Sequence, residues 1–338
     1  MLHQFITKKV WIQSSCGNGI SNYMYYDLFN GDADGMISTH MYRTFMPKDS
    51  IKFTGMKRDI KLLRHVTKAH DSIITVFDVS LASNDDYVEK ILQNNNNIRW
   101  FDHHDPGETD FGGRLMAKID TDPDCCTAIL VDKHLDGLYR PWTIAAAFGD
   151  NLHKQAEEMN PNMSQERMDT LRTIGETLNY SGYGNTEDDL LAQPIDIYED
   201  MAQYRNPFNY FRRSRLFHSI HDQMLADKEQ LSRSAVLFDE EFGMVVQLPS
   251  SVASSRYSGI YSNDLAMSDP DKAFAIVTAN GEDFKVSIRA PINRPTGAVT
   301  LANQFPTGGG RERAAGINVL PQDKIHEFYS GFSDIFNV

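Results

Sequence analysis

The apolar positions of the first 150 residues fall into short blocks of two kinds. Continuous β-rich blocks occur at Met24–Asn30, Ser72–Phe77, Ile98–Phe101 and Leu115–Ile119. Between and after them, Gly35–Phe45, Ile60–Ala69, Asp85–Gln93, Cys125–Leu135 and Pro141–Phe148 read as helices. Strands that are apolar throughout belong inside a parallel sheet, and helices alternating with them cover both of its faces. From about Leu152 to Leu225 the pattern is helical, clearest at Ser164–Tyr180 and Phe208–Leu225, with a loop at Ser181-Gly182-Tyr183-Gly184. Strands return at Gly243–Leu248, Ala273–Thr278 and Phe284–Ile288, and helices at Ser255–Met267 and Gln322–Phe332. Asn280-Gly281 predicts a hairpin turn. The predicted fold class is α/β, with a parallel-sheet domain over 24–190, a helical connector over 191–232 and a smaller α/β domain over 233–338. Residues 1–23 form an extension to which the pattern assigns no element, and Met24 is a candidate start.

Composition narrows the class. The 338 residues suffice for two ordinary domains, and 41% hydrophobic with 23% charged residues fits a soluble globular protein. No apolar run reaches the roughly 18 residues of a membrane span, and the first 20 residues lack a signal-peptide pattern. The three cysteines, Cys16, Cys125 and Cys126, offer neither a disulfide framework nor zinc-site spacing, so a cytoplasmic location is expected. A formal net charge of −13 disfavours partnership with a long nucleic-acid duplex, and with no membrane span no membrane partner is expected. It leaves room for a small phosphorylated ligand, and a carboxylate-rich metal site would add to the count.

Candidate chemistry gathers where strands end. Asn30-Gly31-Asp32-Ala33-Asp34-Gly35 lies between a strand and a helix, at the edge of an open parallel sheet where ligands bind. Two carboxylates in one tight turn repel each other unless a cation is present; taken alone, that turn is equally a helix cap. Asp78 follows the apolar run SIITVF directly, and a cap or turn is again the alternative. Asp102-His103-His104-Asp105 follows Trp100-Phe101 and mixes imidazole with carboxylate, a donor set suited to Mn²⁺, Fe²⁺, Co²⁺ or Zn²⁺. Asp150 ends the tightly packing helix Ala145-Ala146-Ala147-Phe148-Gly149. Together these groups suit a two-metal site that clamps the attacking and leaving oxygens of a phosphoryl displacement. Far along the chain, Gly308-Gly309-Gly310-Arg311-Glu312-Arg313 reads as an anion cradle that opens a helix, with Arg289 and Arg256 as further phosphate contacts.

In this combination the chain resembles the DHH phosphoesterase superfamily, named for the triplet present here as Asp102-His103-His104. Its four ordered motifs correspond to Asn30–Gly35, Asp78, Asp102–His104 and Asp150, and residues 308–316 match the Gly-Gly-Gly…Ala-Ala-Gly mark of the associated substrate-binding domain. The resemblance spans roughly residues 24–335, which makes 24–190 the DHH catalytic domain and 233–338 the substrate-binding domain. It implies two divalent ions, Mn²⁺ first, with Mg²⁺ and Co²⁺ as alternatives. Asp32, Asp78, His103 and Asp150 would be ligands, with Asp78 bridging and Asn30 a weaker ligand. His104 would act at the scissile phosphate and Asp102 orient the histidines, while Asp34 is either a supporting group or a substitute ligand. Gly308–Gly310, Arg311, Arg313, Arg289 and Arg256 would hold substrate phosphate.

Two departures stand out: Asn30 and Tyr26 replace the Asp and His of many members, and Arg311 follows the glycines where His is common. The family contains RecJ-type exonucleases, nano-RNases, cyclic-dinucleotide phosphodiesterases and phosphoadenosine phosphatases. The expected activity is therefore a phosphodiesterase of exonuclease or oligoribonuclease type acting on very short oligonucleotides or dinucleotides. The alternatives are a phosphatase on 3′,5′-bisphosphorylated nucleosides, a cyclic-dinucleotide phosphodiesterase, and a nucleotide-binding protein of weak activity. The helical middle is a candidate homodimer interface.

Overall fold

The computed structural model describes residues 23–108 and 112–337; the expected extension and Cys16 lie outside them. Five strands form the first sheet: β1 (Met24–Phe29), β2 (Ile51–Phe53), β3 (Ser72–Phe77), β4 (Asn97–Asp102) and β5 (Leu115–Ile119), in the order β2-β1-β3-β4-β5 and all parallel. The run SIITVF is apolar throughout because both its faces are covered. Ile74 and Val76 point into a core with Leu28, Ile98 and Trp100, while Phe77 joins Phe29 and Phe101 on the other side.

On the Phe77 side pack α1 (Ala33–Phe45), α3 (Thr127–His134) and α4 (Arg140–Gly149), with α2 (Asp85–Gln93) against the opposite face. The predicted helix over Ile60–Ala69 is only a short 3₁₀ segment, Leu62–Val66. The Asn84 side chain binds the Ile60 carbonyl and the Leu63 amide, groups that the first turn of a longer helix would use.

The middle is helical as expected: α5 (His153–Glu158), α6 (Gln165–Ser181), α7 (Pro194–Ala202), α8 (Pro207–Arg213) and α9 (Arg215–Ser232). The pattern over Phe208–Leu225 is broken at Ser214, which leaves helical geometry and caps α9 by accepting from the Phe217 amide. A Cβ on Gly175 would lie 1.9 Å from the Ala145 carbonyl oxygen, and one on Gly149 would lie 2.5 Å from the Ala33 Cβ. These glycines let α6, α4 and α1 touch backbone to backbone and so set the height of Asp150 at the end of α4. Gly175→Ala is expected to force α6 off α4 and cost about 1–3 kcal/mol by overpacking. A urea melt checks this, and an unchanged midpoint would contradict it.

The second sheet is mixed, in the order β10-β11-β9-β8-β7-β6. It comprises β6 (Ala235–Glu240), β7 (Gly243–Leu248), β8 (Ala273–Asn280), β9 (Asp283–Arg289), β10 (Gly308–Arg311) and β11 (Ala314–Pro321), with α10 (Val252–Ser268), α11 (Ala298–Ala302) and α12 (Ile325–Phe336). The β8–β9 hairpin turns at Gly281, as the Asn-Gly pair predicts. The triple glycine corrects the sequence reading: it opens no helix but forms an edge strand, paired Gly308↔Ile317, Gly309↔Gly316 and Gly310↔Ala315. A Cβ on Gly308 would sit 1.7 Å from the Ala302 carbonyl oxygen, so that glycine admits the end of α11. Val246, Leu248 and Ile276 of the second sheet join the same core as α4, α6 and α9. Among the described residues no helix is long and apolar enough to cross a membrane.

Candidate active site

The strand order 2-1-3-4-5 places a topological switch between β1 and β3, and in such sheets the crevice at the carboxyl ends of those strands is the ligand site. There the chain puts Asn30, Asp32 and Asp34 after β1, Asp78 after β3, and Asp102, His103 and His104 at the end of β4. Asp150 arrives from the end of α4. Asp78 holds φ +56° although it is not glycine, a conformation its neighbours must enforce.

Asp32 is 3%, Asp34 1% and Asp78 2% exposed, so three carboxyls share a volume largely closed to water. Asp34 accepts from the Thr127 and Ala128 amides, at 2.8 and 2.7 Å, at the N-terminus of α3. His103 Nδ1 lies 3.0 Å from the Cys125 carbonyl, to which it donates, and this directs Nε2 at Asp78, 3.4 Å away, and Asp150, 3.9 Å away. The buried Asp102 accepts from the His103 amide at 2.8 Å and from His104 Nδ1 at 2.7 Å, and its other oxygen has no partner. His104 therefore presents Nε2 outward.

The electrostatics are those of a site short of positive charge. Burial raises Asp34, and Asp78 rises well above the carboxylate range through burial and the charges of Asp32 and Asp34. Asp150 is pushed up to about 6, by burial first and then by Asp34. Burial alone would lower His103, but the hydrogen bond to Asp78 and the charges of Asp34, Asp78 and Asp150 push it up to about 10. Ligand atoms of Asp34, His103 and Asp150 lie within 4.8 Å of one another, as do those of Asp78, His103 and His104. A carboxylate–imidazole donor set with a ring oriented by a backbone carbonyl fits a divalent cation.

Several partners were not legible in the sequence. Lys57, in the loop after β2, places Nζ 2.7 Å from Asp32 Oδ2 and 2.8 Å from Asn179 Oδ1, with the Tyr183 ring 5.3 Å away. Asn30 does not turn its amide nitrogen to the carboxylates; it donates to the Lys57 carbonyl at 3.3 Å, and its buried Oδ1 has no partner. Tyr26 is stacked on Phe53, at 6.4 Å between ring centroids, away from the cluster. Only the position of β2, at a parallel strand's carboxyl end beside β1, could have pointed to Lys57, and a three-residue strand leaves a weak trace.

The arginines separate. Arg256 is corrected: its guanidinium makes a two-point ion pair with buried Asp227, at 2.8 and 3.1 Å, and joins α10 to α9 rather than facing a ligand. Arg289 is half-buried and donates to Asn263 Oδ1 at 2.8 Å and the Ile288 carbonyl at 3.1 Å. Asn263 in turn donates to Asn151, the residue after Asp150, at 3.2 Å, so the end of β9 is tied to the carboxylate cluster. Arg311 pairs with Ala314, and Ala314 with Arg289, which puts both arginine side chains on one face of the sheet. Arg313 is exposed at the β10–β11 turn. Among the described residues neither Arg311 nor Arg313 bonds to the carboxylates.

No family model matches the chain, and no curated protein does. Solved structures do. A DHH-domain member of a family of ribosomal proteins superposes with TM-score 0.62 at 13% identity, over 92% of this chain and 86% of that one. RecJ of Thermus thermophilus in complex with Mn²⁺ gives 0.55 at 15% identity, over 92% of this chain and 51% of RecJ, so this chain spans about half of that protein. The pGpG-specific phosphodiesterase PggH of Vibrio cholerae gives 0.55 at 12% identity, over 92% and 98%. The chain therefore has the fold of the DHH-domain proteins, with both of its sheets.

Proposed function

We propose that the protein is a divalent-metal-dependent phosphodiesterase that hydrolyses very short phosphorylated oligonucleotides, dinucleotides above all, to mononucleotides, with Mn²⁺ as its ion. The observation that carries this reading is a buried carboxylate–histidine cluster tied, through Asn151 and Asn263, to an arginine whose bonded partners are neutral. The arrangement couples a cation site to an anion site, as a phosphate ester requires. Likeness along nearly the whole of a pGpG-specific diesterase supports a substrate of that size. The net charge of −13 supports a short strand over a long one.

Asp34, Asp78, His103 and Asp150 would hold the ion, which supplies Lewis acidity toward the phosphoryl oxygens. His104 Nε2 gives a proton to the leaving oxygen, and Asp102 holds the ring and offsets the imidazolium charge through Nδ1. Arg289 and Arg311 grip substrate phosphate from one face of the second sheet, with Arg313 and the edge strand Gly308–Gly310 beside them, although the Gly308 amide already donates to the Phe305 carbonyl at 2.9 Å.

The test is a panel of 5′-phosphorylated dinucleotides to heptamers and a long single strand, incubated with Mn²⁺ and separated by chromatography. Dinucleotides should vanish fastest and yield mononucleotides. Intact dinucleotides beside a degraded long strand would refute the substrate class, and inorganic phosphate released from a 3′,5′-bisphosphorylated nucleoside alone would make the enzyme a monoesterase.

A further inference from the structure

The resemblance implies two ions, yet the cluster is divided unequally. The carboxylates close to His103 come from Asp34, Asp78 and Asp150, and neither compact donor group includes Asp32. Asp34 and Asp32 both accept from backbone amides, but only Asp32 also meets a cation, its Oδ2 lying 2.7 Å from Lys57 Nζ while Oδ1 accepts from the Gly35 amide at 3.1 Å. Beside Asp32 a second ion would find only the neutral, unpartnered Oδ1 of Asn30, a weaker donor than a carboxylate, because the Asn30 nitrogen is on the Lys57 carbonyl and Tyr26 is stacked on Phe53.

Lys57 is fixed in place. Its amide donates to the Gly182 carbonyl at 2.8 Å, and Asn179 accepts from Nζ. Its loop lies directly on the β1–α1 turn, since a Cβ on Gly31 would come within 1.9 Å of the Gly55 carbonyl oxygen. We infer that this centre takes one divalent ion, held by Asp34, Asp78, His103 and Asp150, and that the Lys57 ammonium replaces the second cation by neutralising Asp32.

Charge agrees with this. Four carboxylates meet at the site, and a permanently bound ammonium cancels one without demanding ligands. Lys57 Nζ lies 2.7 Å from Asp32 and 2.8 Å from Asn179, so the positive charge sits directly on this carboxylate. The Lys57 side chain remains 27% exposed while its ammonium rests on Asp32.

The inference rests on the divalent-ion reading above but not on the choice of substrate, and counting ions tests it without any turnover. Chelator-stripped full-length protein is titrated with Mn²⁺, free ion is read by electron paramagnetic resonance, and bound metal is counted by mass spectrometry. One ion per chain is expected. Asp32→Asn should keep that ion with affinity changed less than about threefold, whereas Asp34→Asn should weaken it at least about tenfold. Lys57→Arg should keep the count at one, and Lys57→Ala should admit a second ion at millimolar Mn²⁺. Two ions in the unaltered protein, or equal losses in Asp32→Asn and Asp34→Asn, would overturn the inference and leave the metal reading standing. No bound ion at millimolar Mn²⁺ would overturn both. Because the first count needs no variant, misfolding of one cannot blunt the test.

Discussion

Asp78→Asn is expected to lower turnover of a dinucleotide at least about a thousandfold, on the order of 4 kcal/mol in the barrier, while leaving the melting temperature unchanged or higher. The site takes this carboxylate deep among Asp32, Asp34 and Asp150, where its ionised form is opposed by burial and by like charges. Asparagine removes that repulsion and keeps the shape. It also tolerates the left-handed backbone that position 78 adopts at φ +56°. Function and stability should therefore move in opposite directions, as expected where a site stores strain for its ligand. Turnover within tenfold of the unaltered protein would mean that Asp78 does not hold the ion.

Arg256→Met should do the reverse, damaging the fold and sparing the chemistry. Asp227 is 1% exposed, and Arg256 meets both of its oxygens. Losing one partner of a buried pair typically costs about 3–5 kcal/mol because the other charge stays behind. Tyr180 and Gln223 also donate to Asp227, at 2.6 and 2.8 Å, and place the outcome at the lower end. Thermal unfolding should show a fall in Tm on the order of 4 °C, with KM for a dinucleotide unchanged in protein that remains folded. A normal Tm with a raised KM would restore Arg256 to the substrate contacts suggested by its sequence.

What the sequence revealed and what it concealed divide along a physical line. The placement of Asp32, Asp78 and Asp102–His104 at the carboxyl ends of β1, β3 and β4 was legible because the end of an apolar parallel strand is a local, one-dimensional signal. β3 and α2 were legible for the same reason: their periodicity lies within the segment itself. Lys57 was not, because its meaning comes from Asp32 on a neighbouring strand and from Asn179 on a distant helix. Arg256 was misread because nothing local shows that Asp227 of the preceding helix lies against it. The triple glycine was misread for a related reason. Three glycines before two arginines suggest the opening of a helix, and only the pairing with β11 and the Ala302 carbonyl over Gly308 make them an edge strand.

Ion-dependent hydrolysis at the carboxylate–histidine cluster is the central claim, and one measurement bears on it directly. Chelator-stripped protein is given a 5′-phosphorylated dinucleotide with and without Mn²⁺, beside a His103→Ala variant, and the products are separated by chromatography. The account predicts mononucleotides only with the ion and only background from the variant. Equal product without the ion, or from the variant, would contradict it.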